Sequence, residues 1–154
     1  MRAMRRTDRE KDSNFALEVI DCSSYATMAT INADGSPYCI GISVARSENF
    51  LYFHCAKEGQ KVENLRRNPK VCLFFTRNVN PTKFTCEYDS AVVTGLAHEV
   101  TAFEEKVFAM KLICQHFTPD YIDNFDRSMS ASREKIMIWQ IKIDSMSGKQ
   151  NKLK

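Results

Sequence analysis

The 154-residue chain has no apolar run approaching the ~18 residues of a membrane span. No apolar core follows the arginines at its start, so neither a membrane helix nor a secretory leader is expected. It has no CxxC pair, no GxGxxG, no internal repeat and no linker long enough to split it. Its six cysteines, Cys22, Cys39, Cys55, Cys72, Cys86 and Cys114, are scattered through apolar runs. That excludes a disulfide framework of the small secreted kind. The expectation is reduced thiols in a cytoplasmic protein, most serving as small core residues. Cys114 and His116 stand two positions apart, which on a helix makes their side chains diverge, so no metal site is expected. Charge of one sign is also missing. Lys and Arg number 22 against 19 Asp and Glu, a net +3, too mild to call for nucleic acid. The basic run Arg2, Arg5, Arg6, Arg9, Lys11 is interrupted by Asp8, Glu10 and Asp12 and reads as a flexible, solvated arm over residues 1–12.

What is present is an ordinary globular balance, 44% hydrophobic and 27% charged, sized for one domain. Ser13 can cap a first helix through Phe15, Ala16, Val19 and Ile20 to about Cys22. Strand-like runs follow at Tyr25–Ile31, Tyr38–Ala45 and Phe50–Cys55, with Asp34-Gly35 marking a hairpin between the first two. A helix from Gln60 to Arg67 is stopped by Asn68-Pro69. Further strands are expected at Val71–Thr76 and Phe84–Glu99, separated by a polar loop at 78–83, the second kinked at Gly95. Thr101 and Glu104 form a capping box, and Phe103, Val107, Met110, Cys114 and Phe117 recur as one apolar helical face. Pro119 opens a short helix. Ile136–Ile143 reads as a last strand before a polar tail. This order lacks the regular βαβ alternation of a doubly wound sheet and predicts a mainly β protein, an antiparallel β-barrel with peripheral helices spanning residues 13–149, followed by a tail at 150–154.

Chemistry concentrates in Tyr52–Pro69. Gly59 precedes a helix whose first turn holds Lys61, with Lys57 just before it. Basic side chains oppose the helix dipole there unless an anion shares the space, so the segment is either a phosphate cradle or an ordinary strand–helix turn with solvated lysines. The Tyr38–Ala45 run sorts by size, with Ile40, Ile42 and Val44 on one face and Cys39, Gly41, Ser43 and Ala45 on the other. Such a face admits a flat ligand or permits tight packing across a barrel. His54 is either a satisfied histidine at a sheet edge or an imidazole poised over a ligand as hydrogen-bond or proton donor.

Ala29-Thr30, the Asp34-Gly35-x-Pro37 turn, Tyr52-Phe-His-Cys-Ala-Lys-Glu-Gly-Gln-Lys61 and Asn64-Leu-Arg-Arg-Asn-Pro-Lys-Val71 resemble the pyridoxamine 5′-phosphate oxidase-like flavin proteins, most of all their nitroimidazole-resistance (Nim-type) branch. The similarity runs from about Arg5 to Lys149. It implies a split β-barrel homodimer with FMN at the subunit interface. By position, Ile40, Gly41, Ile42, Ser43 and Val44 would give backbone contacts to the flavin ring, and His54, Cys55 and Ala56 would lie along the cofactor. Gly59, Gln60 and Lys61 match the phosphate-holding segment, Ser90 matches a place where the partner subunit reaches the flavin, and His54 matches the Nim-type histidine implicated in the chemistry. True pyridoxamine phosphate oxidases carry basic residues where this chain has Ile40, Ala45 and Gln60, which argues against that activity and leaves Lys57 as a compensating cation.

The resemblance therefore implies an FMN-dependent oxidoreductase passing electrons from reduced flavin to a small electrophile such as a nitroimidazole or nitroaromatic. The missing GxGxxG suits a donor, NAD(P)H among the candidates, that docks transiently on the flavin. The alternatives are a flavin-binding electron carrier or sensor, and a haem- or deazaflavin-binding relative of the same barrel. Aromatics such as Phe74, Phe75, Phe84 and Tyr88, in strands that a single copy would leave exposed, fit a homodimer.

Overall fold

A computed structural model of the chain describes residues 3–125, 129 and 136–152. In chain order the strands are β1 (Glu10–Lys11), β2 (Ala26–Ile31), β3 (Pro37–Ile42), β4 (Ala45–Ser47), β5 (Phe50–Cys55), β6 (Lys70–Pro81), β7 (Cys86–Val100) and β8 (Met137–Asn151). The helices are α1 (Ser13–Cys22), α2 (Gln60–Arg67) and α3 (Phe103–Phe117), with 3-10 turns at Thr7–Arg9 and Pro119–Asn124. The strands form one antiparallel sheet in the order β3-β2-β6-β7-β8-β5-β4, with β1 added to β8. Only Ser43 and Val44 join β3 to β4, the two ends of that order, so the sheet has to curl until its edges approach. The result is the mainly β split barrel that the sequence predicts.

Two cores fill it. Ala16, Val19 and Ile20 of α1 and Val62 and Leu65 of α2 pack with Met28, Leu51, Phe53, Leu73, Phe75 and Trp139. A second cluster under α3 holds Ala45, Tyr52, Val100, Ala109, Ile113 and Ile138. β5 is thus covered on both faces, which is why Phe50-Leu-Tyr-Phe reads as a continuous apolar run rather than an alternation. His54 shares the α3 face of β5 with Tyr52, opposite Ile138, and it is exposed.

Several details depart from the sequence reading. Asp12, not Ser13, caps α1, its Oδ1 accepting the Phe15 N–H at 2.9 Å. α3 starts after Ala102 with no side-chain cap, so the Thr101–Glu104 box does not form. Its buried residues are Ala109 and Ile113, because the small Ala109 lets the helix settle on β4 and β5; the expected stripe is left half-buried. The polar stretch from Asn78 is strand up to Pro81, carried across a register shift between Arg77 and Asn80. That shift is pinned by the buried Asp89, which accepts from Arg77 Nε at 3.3 Å, Asn78 Nδ2 at 2.9 Å and Gln150 Nε2 at 2.8 Å. The kink expected at Gly95 appears as a shift in the β7–β8 register between Thr94 and Gly95, where an added Cβ would stand 2.3 Å from the Lys142 carbonyl oxygen. β8 continues to Asn151 instead of ending at Ile143, and Glu10 and Lys11 pair with it. Of the cysteines only Cys55 is buried; Cys22, Cys39 and Cys86 are exposed, because their positions fall on the outer side of α1, β3 and β7.

Candidate functional site

β5 delivers His54 and Cys55 to one end of the sheet, beside the start of α2. Gly59 is the N-cap, with φ 120° and ψ 164°, a conformation that strains any L side chain. Its carbonyl accepts the Val62 and Glu63 N–H groups at 2.9 and 3.2 Å. The amides of Gln60 and Lys61 then have no intrahelical acceptor, and Gly59 supplies no side chain to cap them. A Cβ built on Gly59 meets nothing within 4 Å, so the cradle is open. Glu63 and the pair Arg66 and Arg67 sit where the dipole favours them; Lys61, in the first turn, does not.

Electrostatics tie this group together. His54 is held below its ordinary value of 6.5, first by partial desolvation against the sheet and then by the Lys61 charge. At neutral pH it is an uncharged imidazole with one N–H to give and one lone pair to accept. Burial raises the Cys55 thiol despite the opposing pull of Lys61, which makes it an inert thiol rather than a nucleophile.

A buried amide network fixes α2 in place. Asn64, wholly buried, donates through Nδ2 to Thr30 Oγ1 at 3.0 Å and Asn32 Oδ1 at 2.8 Å. It accepts from Gln60 Nε2 at 3.0 Å. Asn32 Nδ2 in turn donates to Ser36 Oγ at 3.0 Å in the β2–β3 turn. The Gln60 side chain is therefore folded back on its own helix, and its backbone N–H is what it offers to a ligand. The sequence reading missed this network, although Asn64 belongs to a motif it singled out; a buried asparagine and a solvated one look alike until the strand beneath is known.

The β3 expectations meet a shorter strand. Pairing ends at Ile42, Ile42 and Val44 are buried, Ile40 is half-buried, and Cys39 and Gly41 are exposed. Ala45 belongs to β4 and faces α3, so the small-residue face is Cys39 and Gly41, with Ser43 in the linker. An added Cβ on Gly41 would fall 2.2 Å from Cε1 of Tyr25, so that ring occupies the space over the glycine. Tyr25 is 58% exposed and belongs to neither core cluster.

Ser90 is not near any of this. Through the ladder His54 aligns with Ile138 and Ile138 with Val100, whereas Ser90 lies ten positions earlier on β7. At the usual rise per residue that is about 33 Å along the strand. Ser90 instead lines a groove of about 370 Å³ with Phe74, Thr76, Val79, Tyr88 and Val92 on the outer sheet face. Phe74 is 45% and Val79 55% exposed there, and Phe84, at the β6–β7 tip, is 93% exposed. Phe75, expected to join them, points into the core.

Residues 12–150 match the model of the pyridoxamine 5′-phosphate oxidase family, and the chain belongs to that family. Among solved structures it is similar to a candidate 5-nitroimidazole antibiotic resistance protein from Bacteroides thetaiotaomicron (TM-score 0.76, 23% identity, covering 91% of this chain and 84% of that one). It is also similar to a conserved hypothetical protein from Mycobacterium tuberculosis (TM-score 0.82, 19% identity, 96% and 90% covered). A third is the FAD and haem binding protein from Mycobacterium smegmatis (TM-score 0.80, 19% identity, 94% and 74% covered). At these identities the likeness establishes a shared fold. A search of curated proteins returns no match. Among the described residues no helix is long and apolar enough to cross a membrane.

Proposed function

We propose that this member of the pyridoxamine 5′-phosphate oxidase family is an FMN-dependent oxidoreductase, working as a homodimer on a small electrophile of the nitroaromatic class. The observation that carries the reading is the open cradle at Gly59, with two unmatched backbone N–H groups and Lys61 on one side and His54 on the other. Bound flavin would supply the electron transfer. The chain supplies the rest. The Gln60 and Lys61 amides and the Lys61 ammonium hold phosphate oxygens. Cys39 and Gly41 leave β3 low enough for a flat ring once Tyr25 turns away. His54, uncharged, donates its N–H to the ring edge or to the bound electrophile. Ser90 serves the partner subunit's site, because one chain cannot bring it within reach of its own cradle. The groove beside it is the dimer face: an apolar sheet surface with a half-exposed phenylalanine is better buried against its own copy than left in water. True pyridoxamine phosphate oxidase activity is disfavoured, since Ala45 is packed beneath α3 where a basic side chain has no room.

The test is the purified protein itself. It should be yellow or turn yellow with FMN, run as a dimer, and oxidise NAD(P)H only when a nitroimidazole is present. A colourless protein that refuses added FMN ends the reading. Haem is the second candidate, favoured by an exposed, uncharged His54 able to give a lone pair to iron. A Soret band in place of flavin bands would select it.

A further inference from the structure

At the end of the sheet away from the cradle, the basic arm is docked rather than loose. Glu10 pairs with Lys149 and Lys11 with Gly148. Gly148 permits that approach: a Cβ there would press on the Phe15 ring at 3.0 Å and on the Asp12 carbonyl at 3.3 Å. The docked arm borders an open cavity of about 440 Å³ whose lining includes Arg6, Asp8, Arg9, Lys11, Gln150 and Lys152. Strand alternation puts Lys11, Gln150 and Lys152 on its side of the sheet and Glu10 with Lys149 on the other.

Four cations thus border the cavity against one carboxylate, Asp8, which forms a two-pronged pair with Arg6 at 2.8 and 2.6 Å; Lys11 also lies over the Phe15 ring, 6.0 Å from its centroid, and Arg9 also reaches Tyr88. Of the neighbouring carboxylates, Asp12 caps α1, Asp89 is held by Arg77, Asn78 and Gln150, and Glu10 stands on the other side of the sheet opposite Lys149. Among the described residues Arg9, Lys11 and Lys152 enter no ion pair. A fold that fixes these like charges around one space gains from an anion of matching charge there. Arginine forks suit phosphate oxygens, and the volume exceeds what a single phosphate fills.

We propose that this cavity, between the docked arm and the end of β8, binds the diphosphate group of a small ligand. The group would come from a nicotinamide dinucleotide or from a diphosphate free of nicotinamide. Within one chain the site lies at the opposite end of the β7–β8 ladder from that chain's own cradle. Tyr88 provides a built-in reporter. Its phenol is held below its ordinary value chiefly by Lys149 and also by Arg9. An anion that neutralises Arg9 raises it.

The experiment titrates the full chain, incubated with excess FMN, with inorganic pyrophosphate, by calorimetry and by the tyrosinate absorbance that Tyr88→Phe removes. Binding should occur, shift the Tyr88 titration upward, and weaken at least about tenfold in Arg9→Glu and separately in Lys152→Glu, both surface changes. Lys61→Ala should leave it unchanged. Competition by NAD+ assigns the diphosphate to a nicotinamide dinucleotide; binding without competition assigns it to the other source. No binding to the unaltered chain overturns the proposal. So does binding that falls with Lys61→Ala and not with Arg9→Glu, since the ion is then at α2. Flavin loading is read separately from the visible spectrum, so a chain that takes pyrophosphate through Arg9 but no FMN would sink the flavin reading alone.

Discussion

The two ends of the long β7–β8 ladder are built on opposite plans. At the Val100–Ile138 end, α2 is fixed before any ligand arrives, because the buried Asn64 uses both donors and its acceptor, and the Gln60 and Lys61 amides of the cradle are left open. At the Tyr88–Asn151 end, the surface is left unfinished, with Phe74, Val79 and Phe84 in water and, among the described residues, more cations than carboxylates around the cavity. A preorganised end can hold a small molecule at little reorganisation cost. An unfinished one asks for something larger or oppositely charged. In a homodimer the first end of one copy would meet the second end of the other.

The sharpest way to break this comparison is Phe74→Arg. It puts a charge in the centre of the exposed groove without touching the core, since the neighbouring Phe75 carries the packing. If the site needs both copies, the variant should become monomeric by light scattering and lose FMN affinity by about a hundredfold or more, with an unchanged melting profile of the monomer. A monomer that still binds FMN tightly would show that each chain's cradle is complete alone.

Asn64→Ala attacks the finished end. It strands Thr30, Asn32 and Gln60 around a buried space, and the loss of three hydrogen bonds there should cost about 1–3 kcal/mol in denaturant unfolding. FMN binding should weaken alongside, because the α2 N-terminus loses its tether. Asn64→Asp separates the two effects. It keeps the shape but brings a buried negative charge to the helix that holds the phosphate, so affinity should fall further than stability alone explains.

The fold was legible where local signals and packing agreed. Asp34-Gly35 gave the β2–β3 turn, in which Gly35 takes φ 84°. Asn68-Pro69 ended α2, and Gly95 marked the irregularity in β7. It was illegible where a distant partner decides. Residues 78–81 look like a loop because they are polar, yet the buried Asp89 and the long β7 recruit them into strand. The α3 face could not be read from its own spacing, since Ala109 counts as weakly apolar in sequence but is wholly buried in the second cluster. For the site, the Gly59–Lys61 segment and His54 could be found because their chemistry is local. Asn64 and Tyr25 could not, as each acquires its role from a neighbouring strand.

Lys61→Ala is expected to weaken FMN binding by about tenfold, the usual worth of one charge-assisted contact at a partly exposed site. Lys57 is the control. If it compensates for the missing basic residues, Lys57→Ala should weaken FMN comparably, whereas unchanged affinity would leave Lys61 and the backbone amides as the whole phosphate grip.

The smallest effect falls on His54 and isolates one term. Its pKa lies below 6.5 mainly through desolvation, with the Lys61 charge second. In Lys61→Gln the imidazole titration followed by proton NMR, assigned against His54→Gln, should move upward yet stay under 6.5, because desolvation remains. The consequence for stability has a definite sign. A histidine depressed in the folded state takes up its proton more readily when unfolded, so folding stability drops as pH falls through 6.5 and the loss is complete below the folded value. Lys61→Gln should therefore soften the acid-side decline by a few tenths of a kcal/mol at most, this being an exposed ring screened by water. A full return to 6.5 would mean that Lys61 alone sets the imidazole, and that the sheet around His54 is more open than its place beside α2 implies.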